Sequence, residues 1–455
     1  MNNVNDKTLS VLSLNCWGLK VVAKQREFRL HAIGDRISSE DYDIVALQEV
    51  WMRKDFDYIK AKVGSKLPFT KYFQSGTLGS GLAILSRFPI LSSSYLKFTL
   101  AGRPLKVLQG DFYVGKGCGS VCIDHPEIGL MDVYTTHATG YGQGEDYEAQ
   151  RITECWQIAN SVRASAAQGR HVILAGDFNS IPTSNCYQML KNHGFMTDTW
   201  LEKHDHTLDD LSDSIQRFGI TCDSPLNTWT KHLLKQEPHL KEFGDRLDYI
   251  FYRRSPQIIC QESRVVMEGY IPGTEWSYSD HFGVHSVFTI AGHVDTAMGN
   301  FAPNSKQLAR PDFTQLSSAH LITAIEIIQR EYNQAKKTGH QYLVLLCLSV
   351  IVVVGAYIAQ LISYEGSTQI IVHAVCGFVM IACSGFAMVC LIVGFVFGGT
   401  EQRSLDQYMI DLRVCLKTLQ KPPITSMSGS SFSTKTSLSS EEEGIVEKPM
   451  LKKLR

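Results

Sequence analysis

Mostly apolar runs that stop on a polar or charged residue recur along the first two thirds of the chain. Leu9 to Leu14 leads into Asn15-Cys16-Trp17-Gly18, and Tyr42 to Leu47 leads into Gln48-Glu49-Val50-Trp51. His171-Val172-Ile173-Leu174 leads into Ala175-Gly176-Asp177-Phe178-Asn179. Runs of this length read as buried strands, and each puts its polar chemistry where the strand runs out. Between the first two, Phe28, Ile33 and Ile37 are spaced as on a helix over Arg26 to Glu40, which predicts a strand-helix-strand start. Gly81 to Ile90, Lys106 to Phe112 and Leu130 to His137 read as short strands punctuated by Gly and Pro. A helix is expected from about Tyr147 to Ala167, and Asp245 to Tyr252 and Ser279 to Val284 each sit beside a further strand. Strands that alternate with helices yet also neighbour one another predict an α/β architecture of two sheets packed face to face with helices outside, over residues 1–291.

After Ala291 the pattern changes. Residues 292–313 are polar with Pro, Gly and Asn and read as a linker. Within 314–341, Leu316, His320, Leu321, Ala324, Ile325, Ile328, Tyr332 and Ala335 recur at three and four, one face of a helix ending near Lys336-Lys337. That face suits a membrane surface, the preceding domain or another helix equally. Tyr342 to Ile362 has no charged residue in 21 positions and Ile370 to Phe397 none in 28, where a span needs about 20. Two transmembrane helices joined by a short turn are expected. Lys336 and Lys337 precede the first span, Arg403, Arg413, Lys417 and Lys421 follow the second, and the turn carries only Glu365. The positive-inside rule therefore puts both ends of the hairpin in the cytosol. Leu405, Met409, Leu412, Leu416 and Leu419 give 398–421 a second amphipathic face, suited to pair with the 314–341 helix beneath the membrane. The Ser-rich stretch 422–455 has the composition of a disordered tail.

Charge and cysteine usage narrow the classes. Lys plus Arg number 44 against 45 for Asp plus Glu, so there is no bulk basic field to hold nucleic acid, which leans against a nuclease. The 12 cysteines show no metal-finger pairing and read as free thiols of a reducing compartment. No apolar signal segment opens the chain, and the front of the protein is expected to stay cytosolic.

The chemistry gathers at strand ends: Asn15, Glu49, His137, Asp177 with Asn179, Asp248, and Asp280 with His281. Any one of these has an ordinary reading, since Gly-Asp-x-Asn is also a strand-to-loop turn and a Glu after a strand is commonly a surface residue. The set is oxygen-rich and suits Mg²⁺, with Mn²⁺ as a substitute, better than zinc, which draws more on His and Cys. His125, His171, His193 and His285 read as structural histidines. Lys116 between two glycines is a candidate phosphate contact, although Gly-Lys-Gly also reads as a turn, and no Walker-type loop is present.

The ordered set Leu-Asn-Cys-Trp, Gln-Glu-Val-Trp, Thr-His, Gly-Asp-Phe-Asn, Arg-Leu-Asp-Tyr-Ile and Ser-Asp-His over residues 9 to 290 resembles the endonuclease/exonuclease/phosphatase superfamily related to deoxyribonuclease I. Asn-Cys-Trp-Gly, Glu-Val-Trp, Phe-Gln-Ser-Gly-x-x-Gly-Ser-Gly-Leu, Gly-Lys-Gly at Lys116 and the double-spanning C-terminal part are similar to the neutral sphingomyelinases within it. The resemblance implies a four-layer α/β sandwich and Mg²⁺-dependent cleavage of a phosphoester. It implies Glu49 as direct metal ligand with Asn15 beside it, and Asp177 and Asp280 placing metal or water. It further implies His281 as general base held by Asp248, with His137 and Asn179 donating to the phosphoryl oxygens.

A site tethered to two spans works at high effective concentration over one leaflet, so the expected substrate is a membrane lipid. The resemblance makes it sphingomyelin, split to ceramide and phosphocholine, at the endoplasmic reticulum or nuclear membrane. No nucleic-acid partner is expected, and the membrane and juxtamembrane helices are a candidate homo-oligomer interface. Competing readings are a lysophospholipase C acting on lyso-platelet-activating factor and similar lipids, and a catalytically silent membrane scaffold. A tethered inositol-phosphate phosphatase is disfavoured by the neutral charge balance.

Overall fold

The first strand sets the layering. In β1 (Lys7–Asn15), Leu9 and Val11 face one apolar layer while Leu12 and Leu14 face another, the alternation expected of a strand buried on both sides. The computed structural model describes residues 7–20, 22–140, 147–204, 214–230, 244–291, 316–362 and 365–420; the expected linker 292–313 and tail 422–455 lie outside them.

The remaining strands are β2 (Ile44–Gln48), β3 (Phe69–Tyr72), β4 (Ala83–Ser86), β5 (Ile90–Lys97), β6 (Gly117–His125), β7 (Gly129–His137), β8 (His171–Asp177), β9 (Thr197–Asp198), β10 (Asp248–Tyr252), β11 (Ile258–Val266) and β12 (Gly283–Ile290). They form two six-stranded sheets, ordered β11-β12-β1-β2-β4-β3 and β5-β6-β7-β8-β10-β9. Each is mixed: β1 with β2 and β7 with β8 are parallel, and the other pairings are antiparallel. Between the sheets lies a core that includes Val11, Ile44, Ala46, Val133, Ile173, Ala175, Ile250 and Phe288. Helices Arg26–Ser39 and Arg53–Val63 cover the outside of the first sheet through Leu30, Ile33, Phe56 and Ile59. Helix Glu148–Ala167 covers the second through Ile152, Trp156 and Ala159. The result is the expected four-layer sandwich.

One element departs from expectation. Lys106 to Phe112 is no strand: residues 101–110 run through turns into a short helix at Asp111–Val114. Gly102, Gly110 and Gly115 take positive φ there, Pro104 precedes the run, and its backbone closes turns, with the Lys106 N–H on the Arg103 carbonyl and the Gln109 N–H on the Lys106 carbonyl, in place of a strand ladder.

Beyond the sandwich, helix Ser318–Gln360 is capped by Ser317, whose side chain accepts from the His320 N–H. The amphipathic and fully apolar parts are thus one unbroken helix of 43 residues. A second helix, Ser367–Leu391, continues through a π-helical turn at Ile392–Phe397 into Gly398–Gln420. Both are long and apolar enough to cross a membrane, and their middle stretches present exposed apolar side chains such as Ile351, Phe378 and Ile381. They cross closely at Gly339 and Gly394, where a Cβ on Gly394 would lie 2.8 Å from that of Tyr342. The two amphipathic faces do pair: Leu321, Ala324 and Ile328 meet Leu405, Met409 and Leu412, and all six join the core around Ile152, Trp156 and Ala159. Packing on the sandwich therefore claims the face that the sequence left open between membrane and protein. Tyr408 Oη donates to Thr99 Oγ1 at 2.9 Å and Arg103 pairs with Glu331 at 2.6 Å across the same junction.

Candidate active site

The period of two along each strand brings the polar ends together. Asn15 shares the inter-sheet face of Val11, Asp177 that of Ile173 and Ala175, His137 that of Val133, and Asp248 that of Ile250. As the apolar residues of that face run out, the same parity points these four side chains into the mouth between the sheets. Asp177 and Asp248 are direct partners in the antiparallel β8–β10 register, and His137 pairs with Asp177 in the parallel β7–β8 register. Gly176 lets β8 come this close to β7: its φ is +151° and an added Cβ would lie 2.2 Å from the Thr136 carbonyl oxygen.

Asn15 is fully buried and joins the two sheets. Its Nδ2 donates to Asp177 Oδ2 at 2.9 Å and to Glu49 Oε1 at 3.2 Å. Glu49 leaves β2 with φ +56°, which turns its carboxylate out of the strand parity and back toward Asn15; Trp51 Nε1 donates to the other oxygen at 3.4 Å. Burial, then the neighbouring Asp280, push the Glu49 carboxyl up to about 7, against the pull of His281 and Asn15. Burial followed by Asp248 likewise raises Asp177, and burial raises Asp280, with His281 and Arg29 opposing. Three carboxyl groups crowded in a desolvated mouth amount to an excess of negative charge.

His281 lies in the bend before β12. Its Nδ1 donates to Asp248 Oδ2 at 2.8 Å, which leaves Nε2 facing Cys222 Sγ at 3.4 Å and Asp177 Oδ2 at 3.9 Å. Burial works against a charged ring, but Cys222, Asp248 and Asp177 outweigh it and hold the imidazole well above its ordinary value. His137 goes the other way, held neutral by burial and then by the charges of Lys116 and His281. Its Nε2 is 3.6 Å from Asp177 Oδ2, while its buried Nδ1 has no hydrogen-bond partner among the described residues. Asn179, at φ +45°, donates from its backbone N–H to Asp177 Oδ1 at 2.9 Å and from Nδ2 to the Ala138 carbonyl at 3.0 Å. Lys116 is buried, donates to the same carbonyl at 2.6 Å and pairs with Asp111 at 3.2 Å.

A cavity of about 540 Å³ opens over this cluster, its wall including Glu49, Lys116, His137, Asp177, Asn179 and His281. Asn15, Asp248 and Asp280 stand behind it, touching the lining residues. The ligand atoms of Asp177, Asp248 and His281 fall within 4.8 Å of one another. That trio overlaps the metal set expected from sequence only at Asp177, and its closeness follows from the hydrogen bond between His281 and Asp248. On the other side of Asp177, Glu49 supplies a second carboxylate, and Asn15 faces both through Nδ2 while its Oδ1 accepts from the Trp17 N–H at 3.0 Å.

Three residues escaped the sequence. Arg29 is fully buried and donates to the carbonyls of Lys24, Cys16, Tyr278 and Trp17, binding the loop after β1 to the loop that carries Asp280. Its signal was present: Arg26 and Arg29 fall on the helix face of Leu30, Ile33 and Ile37. Asp111 meets Lys116 on the cavity wall, five residues earlier in the same loop. Cys222 had no local signal, being one thiol among twelve.

The Endonuclease/Exonuclease/phosphatase family model matches residues 12–281. Inositol phosphosphingolipids phospholipase C of Schizosaccharomyces pombe is 32% identical over 419 residues, covering 89% of this chain and 93% of that protein. That match reaches past the sandwich into the helical hairpin. A putative neutral sphingomyelinase of Caenorhabditis elegans is 30% identical over 368 residues, 78% of this chain and 81% of that one. Sphingomyelin phosphodiesterase 2 of Homo sapiens is 30% identical over 276 residues, 60% of this chain and 62% of that one.

Proposed function

The chain belongs to the endonuclease/exonuclease/phosphatase family, and on that premise we propose that it is a phospholipase C acting on a phosphosphingolipid. The substrate is sphingomyelin, and the products are ceramide, which stays in the bilayer, and phosphocholine. One observation carries this reading: a strand-end carboxylate and histidine cluster opens on a sandwich to which two membrane-length helices are docked directly.

The donor set fits Mg²⁺. Glu49, Asp177 and Asp280 offer carboxylate oxygens, Asn15 bridges the first two from Nδ2, and the crowding that pushes Glu49 up to about 7 is relieved by a hard dication. These residues would hold the ion, Mn²⁺ equally by donor type, and when bound it neutralises charge on the phosphoryl oxygens. His281 takes the proton of the attacking water at Nε2, since Asp248 fixes Nδ1 as the protonated nitrogen. A base must be neutral, and the carboxylates that raise His281 set how strongly it then holds the proton. His137, neutral and with Nδ1 unpartnered among the described residues, donates to the phosphoryl oxygens together with Asn179 as charge builds on them; Lys116 adds positive charge at the wall. Water attacks phosphorus in line, the bond to the ceramide oxygen breaks, and that oxygen takes up a proton.

The charge flanking the two spans favours a cytosolic sandwich with both ends of the hairpin on that side, at the endoplasmic reticulum or nuclear membrane. A second reading concerns the headgroup. A relative that matches 89% of this chain is named for inositol phosphosphingolipids, so inositol phosphate is the alternative to phosphocholine. Purified full-length protein with Mg²⁺ in mixed micelles, offered sphingomyelin, inositol phosphoceramide and lyso-platelet-activating factor in parallel, is expected to release its headgroup fastest from sphingomyelin, read as phosphocholine from the two choline lipids and as inositol phosphate from the third. Faster release from either of the others reassigns the substrate. No release from any overturns the enzyme reading in favour of a silent scaffold, and equal release after His281→Ala takes the role of base away from His281.

A further inference from the structure

The segment read from sequence as a strand is an apolar loop at the lip of the cavity, and it joins the membrane-proximal helices. Leu105, Val107 and Leu108 are 47%, 61% and 103% exposed, and Phe112 is 39% exposed. Clustered exposure of this kind in so short a stretch is unfavourable in water. Leu108 and Gln109 also line the cavity, so the loop stands beside the reacting groups.

The loop is held in shape. Tyr113 Oη donates to the Pro104 carbonyl at 2.6 Å, and the Gly102 N–H donates to Gln150 Oε1 at 2.7 Å. Gly102, at φ +67°, packs where a Cβ would lie 2.6 Å from the Phe112 nitrogen, which closes the two ends on each other. Two contacts then fix it to the hairpin. At one end Arg103 pairs with Glu331 of the helix Ser318–Gln360. At the other, Phe112 meets Phe397 edge to face with ring centroids 5.5 Å apart. Phe397 is the last large apolar residue of the second long helix before Gly398-Gly399-Thr400-Glu401, so the loop lies level with the end of that apolar surface and continues it sideways to the cavity.

We propose that Leu105, Val107 and Leu108 insert into the bilayer and hold the cavity mouth at the depth of the lipid headgroup. The occupant is a phospholipid surface, because the loop extends an apolar face already long enough to cross a membrane. This rests on reading the site as a lipid phosphodiesterase. The lipid phosphate then reaches His281 and Asn179 with little extraction of its chains, and activity depends on the interface as well as on the strand-end residues.

The test uses the full-length protein reconstituted in vesicles of phosphatidylcholine and sphingomyelin. The double variant Leu105→Ser, Val107→Ser changes two exposed residues outside the cavity wall. It is expected to hydrolyse vesicle sphingomyelin about tenfold more slowly than wild type, while hydrolysis of a short-chain, monomeric sphingomyelin stays within about twofold. Separately, Leu108→Trp is expected to gain fluorescence that lipids brominated on the acyl chain quench more than they quench the wild-type tryptophans. Equal loss on both substrates, no loss on vesicles, or no added quenching would each overturn the insertion. Wild-type inactivity on both substrates would remove the phosphodiesterase reading instead, and the quenching result would still decide where the loop sits.

Discussion

The cavity has two walls of different origin. One is made of strand ends, where His137 and Asp177 line the cavity with Asn15 and Asp248 directly behind them, all four aimed by the parity of buried strands. The other is made of the loop through Leu108 and Asp111, held by glycine turns and by contacts to helices more than two hundred residues away in sequence. The first wall has its geometry fixed by two sheets, and chemistry is the role proposed for it. The second is exposed, apolar and tied to the hairpin, and placement is the role proposed for it. A strand end cannot move without slipping a register, whereas a loop can be repositioned with the helices that hold it. The difference separates what the enzyme does to a phosphodiester from where it meets one.

Substitutions in the two walls should therefore fail differently. The largest effect is expected at His281: His281→Ala should lower kcat about 10³-fold or more with little change in thermal midpoint, read by phosphocholine release and melting in detergent. A loss under tenfold would take the base out of the strand-end wall. Glu49→Gln is expected next, with activity down about 10²-fold and the Mg²⁺ concentration for half-activation raised. An unchanged Mg²⁺ requirement would move the metal to the Asp177, Asp248 and His281 group.

Arg29→Met removes a buried cation that serves four carbonyls, and about 3 kcal/mol of stability is expected to go with it. Retained stability would mean that the loops at Trp17 and Tyr278 hold themselves. The smallest effect belongs to the helix junction. Burial, with Glu331 adding and Arg103 opposing, lifts the Glu401 carboxyl to about 7 from an ordinary 4.5. The folded chain then keeps a proton that the unfolded chain releases, so this contribution is full below about pH 4.5 and is lost as pH rises through about 7. Glu401→Gln should match wild type near pH 4.5 and become progressively more stable than wild type as pH rises through about 7. A difference independent of pH would contradict the assignment.

The two walls also differ in how far the sequence revealed them. Strand ends were legible because a short apolar run that stops on a polar residue carries its own direction: Asn15, Glu49, Asp177 and His281 were each marked by the residues just before or after them. The sandwich followed from the same runs. The loop wall was not legible, since Lys106 to Phe112 reads like an edge strand and only Gly102 and Gly110 at positive φ and the turn hydrogen bonds take it out of the sheet. The docking of Leu321 and Ile328 on Trp156 was half legible: periodicity gave the face and could not give its partner. Arg29 was overlooked because a charged residue on a helix is ordinarily read as surface, and four buried carbonyls are visible only once the loops are in place.

The central claim is that water activated in the strand-end wall attacks the phosphorus of a sphingolipid diester. Hydrolysis of vesicle sphingomyelin in ¹⁸O-enriched water, with both products read by mass spectrometry, tests it most directly. The account predicts one ¹⁸O in phosphocholine and none in ceramide, with the label lost along with turnover in His281→Ala. Label in ceramide, or labelled phosphocholine formed equally by His281→Ala, would contradict it.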